Sequence, residues 1–126
     1  MIEKRQFYIN GSWVAPKDGR DHQVINPSTE EVCATISLGG QADTDAAVAA
    51  AKAALPAWMA TPVEDRIALV EKLLDHYNAR AADMAEAISM EMGAPIDMAA
   101  GQQTPAGSWH LKNFIRAAKG FEFDRS

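Results

Sequence analysis

Cysteine is almost missing from these 126 residues. The single Cys33 excludes an internal disulfide and agrees with a reducing compartment. Long apolar runs are missing too. Nothing approaches the ~18 consecutive apolar residues that a transmembrane helix needs, and the opening MIEKRQFYINGSW has no apolar centre of a secretory leader. A soluble, cytoplasmic protein with no membrane partner is therefore expected. Basic residues form no cluster, and 12 Lys and Arg against 17 Asp and Glu leave a net charge of −5, which argues against a nucleic-acid partner.

Three histidines are spread thinly: His22 in a loop, His76 on a polar helix face, His110 beside Trp109. None has a neighbour at metal-ligand spacing, so solvated or hydrogen-bonded imidazoles are expected. The Gly39-Gly40 pair lacks the rest of a phosphate-binding fingerprint and reads as a turn. Cys33 lies within an apolar-alternating run beside Glu30 and Glu31, where no cation or helix N-terminus would lower a thiol pKa; an inert thiol is expected. Trp13, Trp58 and Trp109 read as core or interface aromatics.

What is present is a hydrophobic content of 48%, enough for one core. The strongest helical signal runs over 61–93. Thr61 and Glu64 flank Pro62 as a capping box with proline at the first helical position. Val63, Ile67, Val70, Leu74 and Tyr77 then recur every three or four residues, with Leu69 and Leu73 widening the stripe. After a weak point at Asn78-Ala79-Arg80, Met84, Ile88 and Met92 continue the period to Gly93, a C-terminal cap glycine ahead of Pro95. The pattern predicts a helical hairpin.

Before it, Phe7-Tyr8-Ile9 and Ser12-Trp13-Val14 flank Asn10-Gly11, the signature of a tight β-hairpin. A Pro/Asp/Gly-rich loop over 15–21 follows. Gln23-Val24-Ile25 and the run 32–38 then flank Asn26-Pro27-Ser28-Thr29-Glu30-Glu31 as a second hairpin, with Val32, Ala34, Ile36 and Leu38 on an apolar face and Cys33, Thr35 and Ser37 on the other. Two hairpins alone are marginal in water and need something to lean on. From Asp43 an alanine-rich helix is expected, capped by Asp43 or Thr44 and ended or kinked by Pro56. Pro95 opens a last helical stretch to Gly120, with a break near Thr104-Pro105, a firmer segment from Ser108 to Lys119, and a strand starting at 121–126.

Five landmarks in order carry a resemblance: Phe7-x-Ile9-Asn10-Gly11-x-Trp13; Ile25-Asn26-Pro27-Ser28-Thr29-x-Glu31-Val32; Asp43-x-Asp45 with the alanine-rich helix and Trp58; Glu64-x-Arg66; and Glu91-Met92-Gly93-Ala94-Pro95. Together they resemble the N-terminal portion of an aldehyde dehydrogenase. The resemblance covers almost the whole chain and implies an incomplete one, since family members are several times longer.

The implied fold is α/β. Residues 1–126 would be its N-terminal part, with two β-hairpins (strands over about 7–38) and several helices (about 43–119) packed on a cofactor-binding domain. The implied chemistry is oxidation of an aldehyde to a carboxylic acid with NAD or NADP, through a cysteine thiohemiacetal and thioester, in a homo-oligomer. No catalytic and no cofactor-binding residue of the family falls within these 126 positions, so the segment alone is expected to be inactive and to bind no cofactor. Two carry-overs remain. A monovalent cation in many members is held by a backbone carbonyl matching Ile25 and an acidic side chain matching Glu91; the alternative for Glu91 is simple solvation near a helix end. The substrate tunnel of the family includes positions matching Gln102 and Ala106, four apart on one helix face. Here they depart from the usual bulky apolar pattern, and Pro105 makes a kinked, loosely packed helix the alternative. From the residues alone, the rival reading of the chain is a stand-alone helical protein-interaction module without catalytic activity.

Overall fold

A computed structural model describes residues 1–123 and divides the chain into two compact units, one spanning Met1–Ala60 and the other beginning at Thr61. The first unit contains five strands, β1 (Ile2–Lys4), β2 (Phe7–Ile9), β3 (Ser12–Val14), β4 (Arg20–Asn26) and β5 (Glu31–Leu38), followed by helix α1 (Gln41–Ala60).

β2 and β3 form the expected antiparallel ribbon, with Phe7 opposite Val14 and Ile9 opposite Ser12. Its turn has φ of 51° at Asn10 and 77° at Gly11, the pair of positive angles that lets a two-residue loop follow the strand twist. Tyr8 and Trp13 stand directly across from one another, their rings edge-to-face at 5.3 Å. β4 and β5 form the second hairpin. Asn26 closes its turn twice, the side-chain oxygen accepting the Ser28 amide at 2.9 Å and the carbonyl accepting the Glu30 amide at 2.8 Å.

β1, which the sequence pattern did not reveal, pairs parallel to β5 and makes β5 the central strand of a β1-β5-β4 sheet. This corrects the expected one-sided alternation: Thr35 and Ser37 are buried while Leu38 is exposed. The loop before β4 lies over Ser37, close enough that a Cβ on Gly19 would stand 2.6 Å from Ser37 Oγ. A central strand covered in this way reads poorly as polar-out.

α1 also starts earlier than expected. Its cap is Gly40, whose carbonyl accepts the Thr44 amide at 3.2 Å, and Asp43 sits three residues into the helix with its carboxylate accepting the Gly40 amide at 3.0 Å. That is the reciprocal half of a capping box, a role requiring the acid three residues after the cap rather than at it. Nor does Pro56 end the helix, which runs on to Ala60. So close to the C-terminus, a proline removes one backbone bond and leaves only a single turn to be held without it.

The second unit contains α2 (Val63–Ala79), α3 (Ala81–Met92), the short α4 (Ile96–Met98), a π-helical turn over Ala99–Gln103, and α5 (Thr104–Lys119). The start of α2 lies one residue beyond the expected capping box, because the carbonyl of Pro62 accepts the Arg66 amide at 3.1 Å and makes Pro62 the cap. Only Arg80 separates α2 from α3, and α2 finds its principal partner in α5 rather than α3. Gly93 caps α3 in the left-handed conformation, φ 75°, its amide bonded to the Ser89 carbonyl, and Ser89 Oγ donates to the Ala94 carbonyl at 2.9 Å. Ala85, Ala94 and Ala99 form a tight core there, with Ile88 packed against them. The break expected near Thr104-Pro105 takes the form of the π turn just before it, and α5 is regular from Thr104 instead of Ser108. Phe121–Phe123 have no regular structure, and the remainder of the strand expected over 121–126 lies outside the described residues.

The stripe Val63, Ile67, Val70, Leu74, Tyr77 is half-buried as its spacing predicts. Leu69 and Leu73, expected to widen it, are 52% and 54% exposed, a correction: among the described residues nothing covers that side.

Candidate functional site

The irregular helix of the second unit brings together the chemically most distinctive side chains. Pro105 has no amide hydrogen, so the carbonyl one α-turn before it, at Gly101, cannot receive the usual bond. The backbone widens at that point. Thr104 donates its amide to Ala99, five residues back, and the wider turn spans Ala99–Gln103. Tyr77, last residue of the α2 stripe, donates its hydroxyl to the Thr104 carbonyl at 2.8 Å. Gly107 makes room for this ring: a Cβ there would stand 2.6 Å from Tyr77 Cζ. Thr104 is 3% exposed, and the oxygens Thr104 Oγ1 and Gln103 Oε1 are buried without a hydrogen-bond partner among the described residues.

Gln102 lies in the widened turn and Ala106 in the first turn of α5, and both are exposed, as is Trp109 three residues further on. Glu91 is exposed in the last turn of α3, two residues before the left-handed Gly93. Ile25 belongs to the other unit, in β4. There the β4/β5 register slips between Val24 and Ile25, with Cys33 the extra residue opposite. The Cys33 thiol donates to the Val24 carbonyl at 3.3 Å. This is a thiol used as a local hydrogen-bond donor. Thus Gln102 and Ala106 share one helical run, whereas Ile25 and Glu91 fall in separate units.

His22, His76 and His110 are all exposed, and the His110 ring meets Trp109 edge-on at 4.9 Å. No group of three or more His, Cys, Asp or Glu side chains among the described residues is arranged to hold a metal ion. No helix among them is long and apolar enough to cross a membrane. At the Gly39-Gly40 turn the Gly40 amide is already taken by Asp43, whose carboxylate also accepts the Lys17 amide at 2.8 Å. Those bonds, Lys17 first and Gly40 next, hold the Asp43 carboxyl below its usual range. A dinucleotide pyrophosphate does not fit there, since it would meet a fixed carboxylate.

Sequence reasoning missed Tyr77 as a polar anchor and Gly107 as the glycine that admits it. The available signal was a tyrosine closing an apolar stripe, since its hydroxyl requires a partner once the ring is covered.

The family model for the aldehyde dehydrogenase family matches residues 13–124. Over its whole length the chain is 38% identical to a 3-succinoylsemialdehyde-pyridine dehydrogenase of a Pseudomonas species and covers 27% of that protein. Its backbone is similar to that of an aldehyde dehydrogenase from Bartonella henselae, with a TM-score of 0.97 and 53% identity over all of this chain and 26% of the other. It is also similar to aldehyde dehydrogenase C from Pseudomonas syringae, solved as a mutant with NAD+ and octanal, with a TM-score of 0.94 and 37% identity over 97% of this chain and 25% of that one. The chain belongs to the aldehyde dehydrogenase family and corresponds to the N-terminal segment of that α/β fold. It spans about a quarter of the length of the curated relatives it matches.

Proposed function

We propose that this chain is the opening segment of a cytoplasmic, homo-oligomeric NAD(P)-dependent aldehyde dehydrogenase, which oxidises an aldehyde to a carboxylic acid through a cysteine thiohemiacetal and thioester. The observation that carries the reading is the match of the whole chain, in backbone and at 53% identity, to about a quarter of an aldehyde dehydrogenase. The dinucleotide supplies the hydride acceptor in such chemistry. The residues here do not fit it, and the nucleophile, base and oxyanion donors would come from outside these 126 positions. The segment's own part is structural. Its strands and helices pack on the cofactor-binding domain, and the exposed Leu69 and Leu73 are suited to being covered there.

Two local roles accompany it. Gln102 and Ala106 line the aldehyde's approach, a reading supported by their joint exposure on one helical run. The Glu91 carboxylate contributes an oxygen to a monovalent cation. A carboxylate suits a hard ion, and the C-terminal end of α3 carries partial negative charge beside Glu91.

The test is an assay of reduced nicotinamide formation from aliphatic and aromatic aldehydes, using the complete polypeptide that carries this segment and the 126-residue chain beside it. The complete polypeptide should turn over, the chain alone should not, and Cys33→Ser should leave turnover unchanged. Absence of turnover by the complete polypeptide, or its abolition by Cys33→Ser, would overturn the reading. For the cation, Glu91→Gln should weaken the dependence of thermal stability on potassium or sodium at matched ionic strength. An identical ion response in both forms would place the site elsewhere.

A further inference from the structure

A turn closed by an i→i+5 bond holds one more residue than an α-helical turn, so side chains around it point where a regular helix would not send them. Pro105 permits the widened turn but does not define it, because a missing amide bond leaves the freed carbonyl without a preferred direction. Neither does Thr104 anchor the turn through its own side chain, since its Oγ1 is buried without a partner. The Thr104 carbonyl has one external partner on a different helix. Tyr77 Oη, 27 positions earlier, donates to it at 2.8 Å. The same ring fills the space beside Gly107, so α5 cannot move closer to α2 at that point without striking it.

We infer that Tyr77 is a positioning residue: its hydroxyl on the Thr104 carbonyl and its ring against Gly107 hold the widened turn Ala99–Gln103, and so set the direction in which Gln102 and Ala106 face the aldehyde. The inference rests on the reading of Gln102 and Ala106 as lining the substrate's approach. Tyr77 itself touches no substrate. Its effect passes through the backbone of one turn, where a displacement of the order of 1 Å is enough to alter how a bound chain is oriented.

The experiment uses the complete polypeptide in three forms, parent, Tyr77→Phe and Gln102→Leu, and measures kcat/KM for a short and a long straight-chain aldehyde. The ratio of the two cancels the fraction of active protein, so a mere loss of stability leaves it unmoved. Tyr77→Phe keeps the ring and removes the hydrogen bond. It should change the ratio by about threefold to tenfold, the range of a modest pocket change, with the KM for the nicotinamide cofactor unaltered. Amide hydrogen exchange over 104–108 should accelerate in the same variant while exchange in α3 stays as in the parent. A changed ratio in Gln102→Leu with an unchanged ratio in Tyr77→Phe overturns the positioning role alone. An unchanged ratio in both overturns the lining role of Gln102 and the inference with it. Unaltered exchange over 104–108 in Tyr77→Phe overturns the claim that the hydroxyl holds the turn.

Discussion

The carboxylate of Asp43 accepts the backbone amide of Lys17 at 2.8 Å, tying the loop after β3 to the first turn of α1. The same carboxylate holds Gly40, so one side chain, 6% exposed, closes both the loop and the helix cap. Its folded pKa is lowered from 3.8 chiefly by the Lys17 bond and then by the Gly40 bond. The stabilisation is therefore complete above the unfolded value and is lost as pH falls through the folded one. Asp43→Asn should lower stability at neutral pH and flatten the decline below about pH 4, as read from urea midpoints across pH. An acid limb identical to the parent's would show that Asp43 does not carry it.

Gly93 holds φ at 75° to close α3, a geometry that costs a residue with a Cβ roughly 1–2 kcal/mol. Gly93→Ala should destabilise by that amount, and Gly93→Asn by less, because asparagine tolerates the left-handed region. Equal losses for the two would point to crowding at the site instead of backbone conformation.

Leu74 is half-buried on the face of α2 turned toward Ile115, beside the Lys119–Glu71 ion pair at 2.6 Å. Leu69 is more than half exposed. Leu74→Ala should cost about 2 kcal/mol, the low end for a leucine truncation, in the chain alone and in the complete polypeptide. Leu69→Ala should cost little in the chain alone and about 2 kcal/mol or more in the complete polypeptide, where its face is covered. Comparison of denaturation midpoints in both contexts separates the two. A silent Leu69→Ala in the complete polypeptide would leave that face on the surface.

Gly107→Ala forces a Cβ into the Tyr77 ring and should destabilise by about 1–3 kcal/mol. Tyr77→Leu, which removes the ring, should make the alanine much better tolerated. The double-mutant cycle then shows a coupling of roughly 1 kcal/mol or more. Additive losses would mean that the two positions do not share the same space.

The features legible in the sequence are those decided within a few residues. Asn10-Gly11 specifies its turn because only such residues accept two consecutive positive φ angles. Gly93 specifies its cap for the same steric reason, and the half-buried stripe of α2 follows from the helical period. Of the candidate site, Gln102, Ala106, Ile25 and Glu91 came only through the family resemblance, and no local pattern foretold the widened turn in which Gln102 sits.

What the tertiary structure alone decided involves partners far apart along the chain. β1 pairs with β5 across more than thirty residues, Asp43 reaches back 26 positions to Lys17, and Tyr77 reaches forward 27 to Thr104. Pro105 announced an irregularity, yet whether the backbone would break, kink or widen depended on the ring waiting beside Gly107. Leu69 and Leu73 fit the helical stripe as well as Leu74 does, and only the position of α5 determined which of them was covered. Local sterics set the conformation of a turn or a cap. The choice among residues with equal local fitness is made by whatever packs against them, and short-range patterns carry no record of that contact.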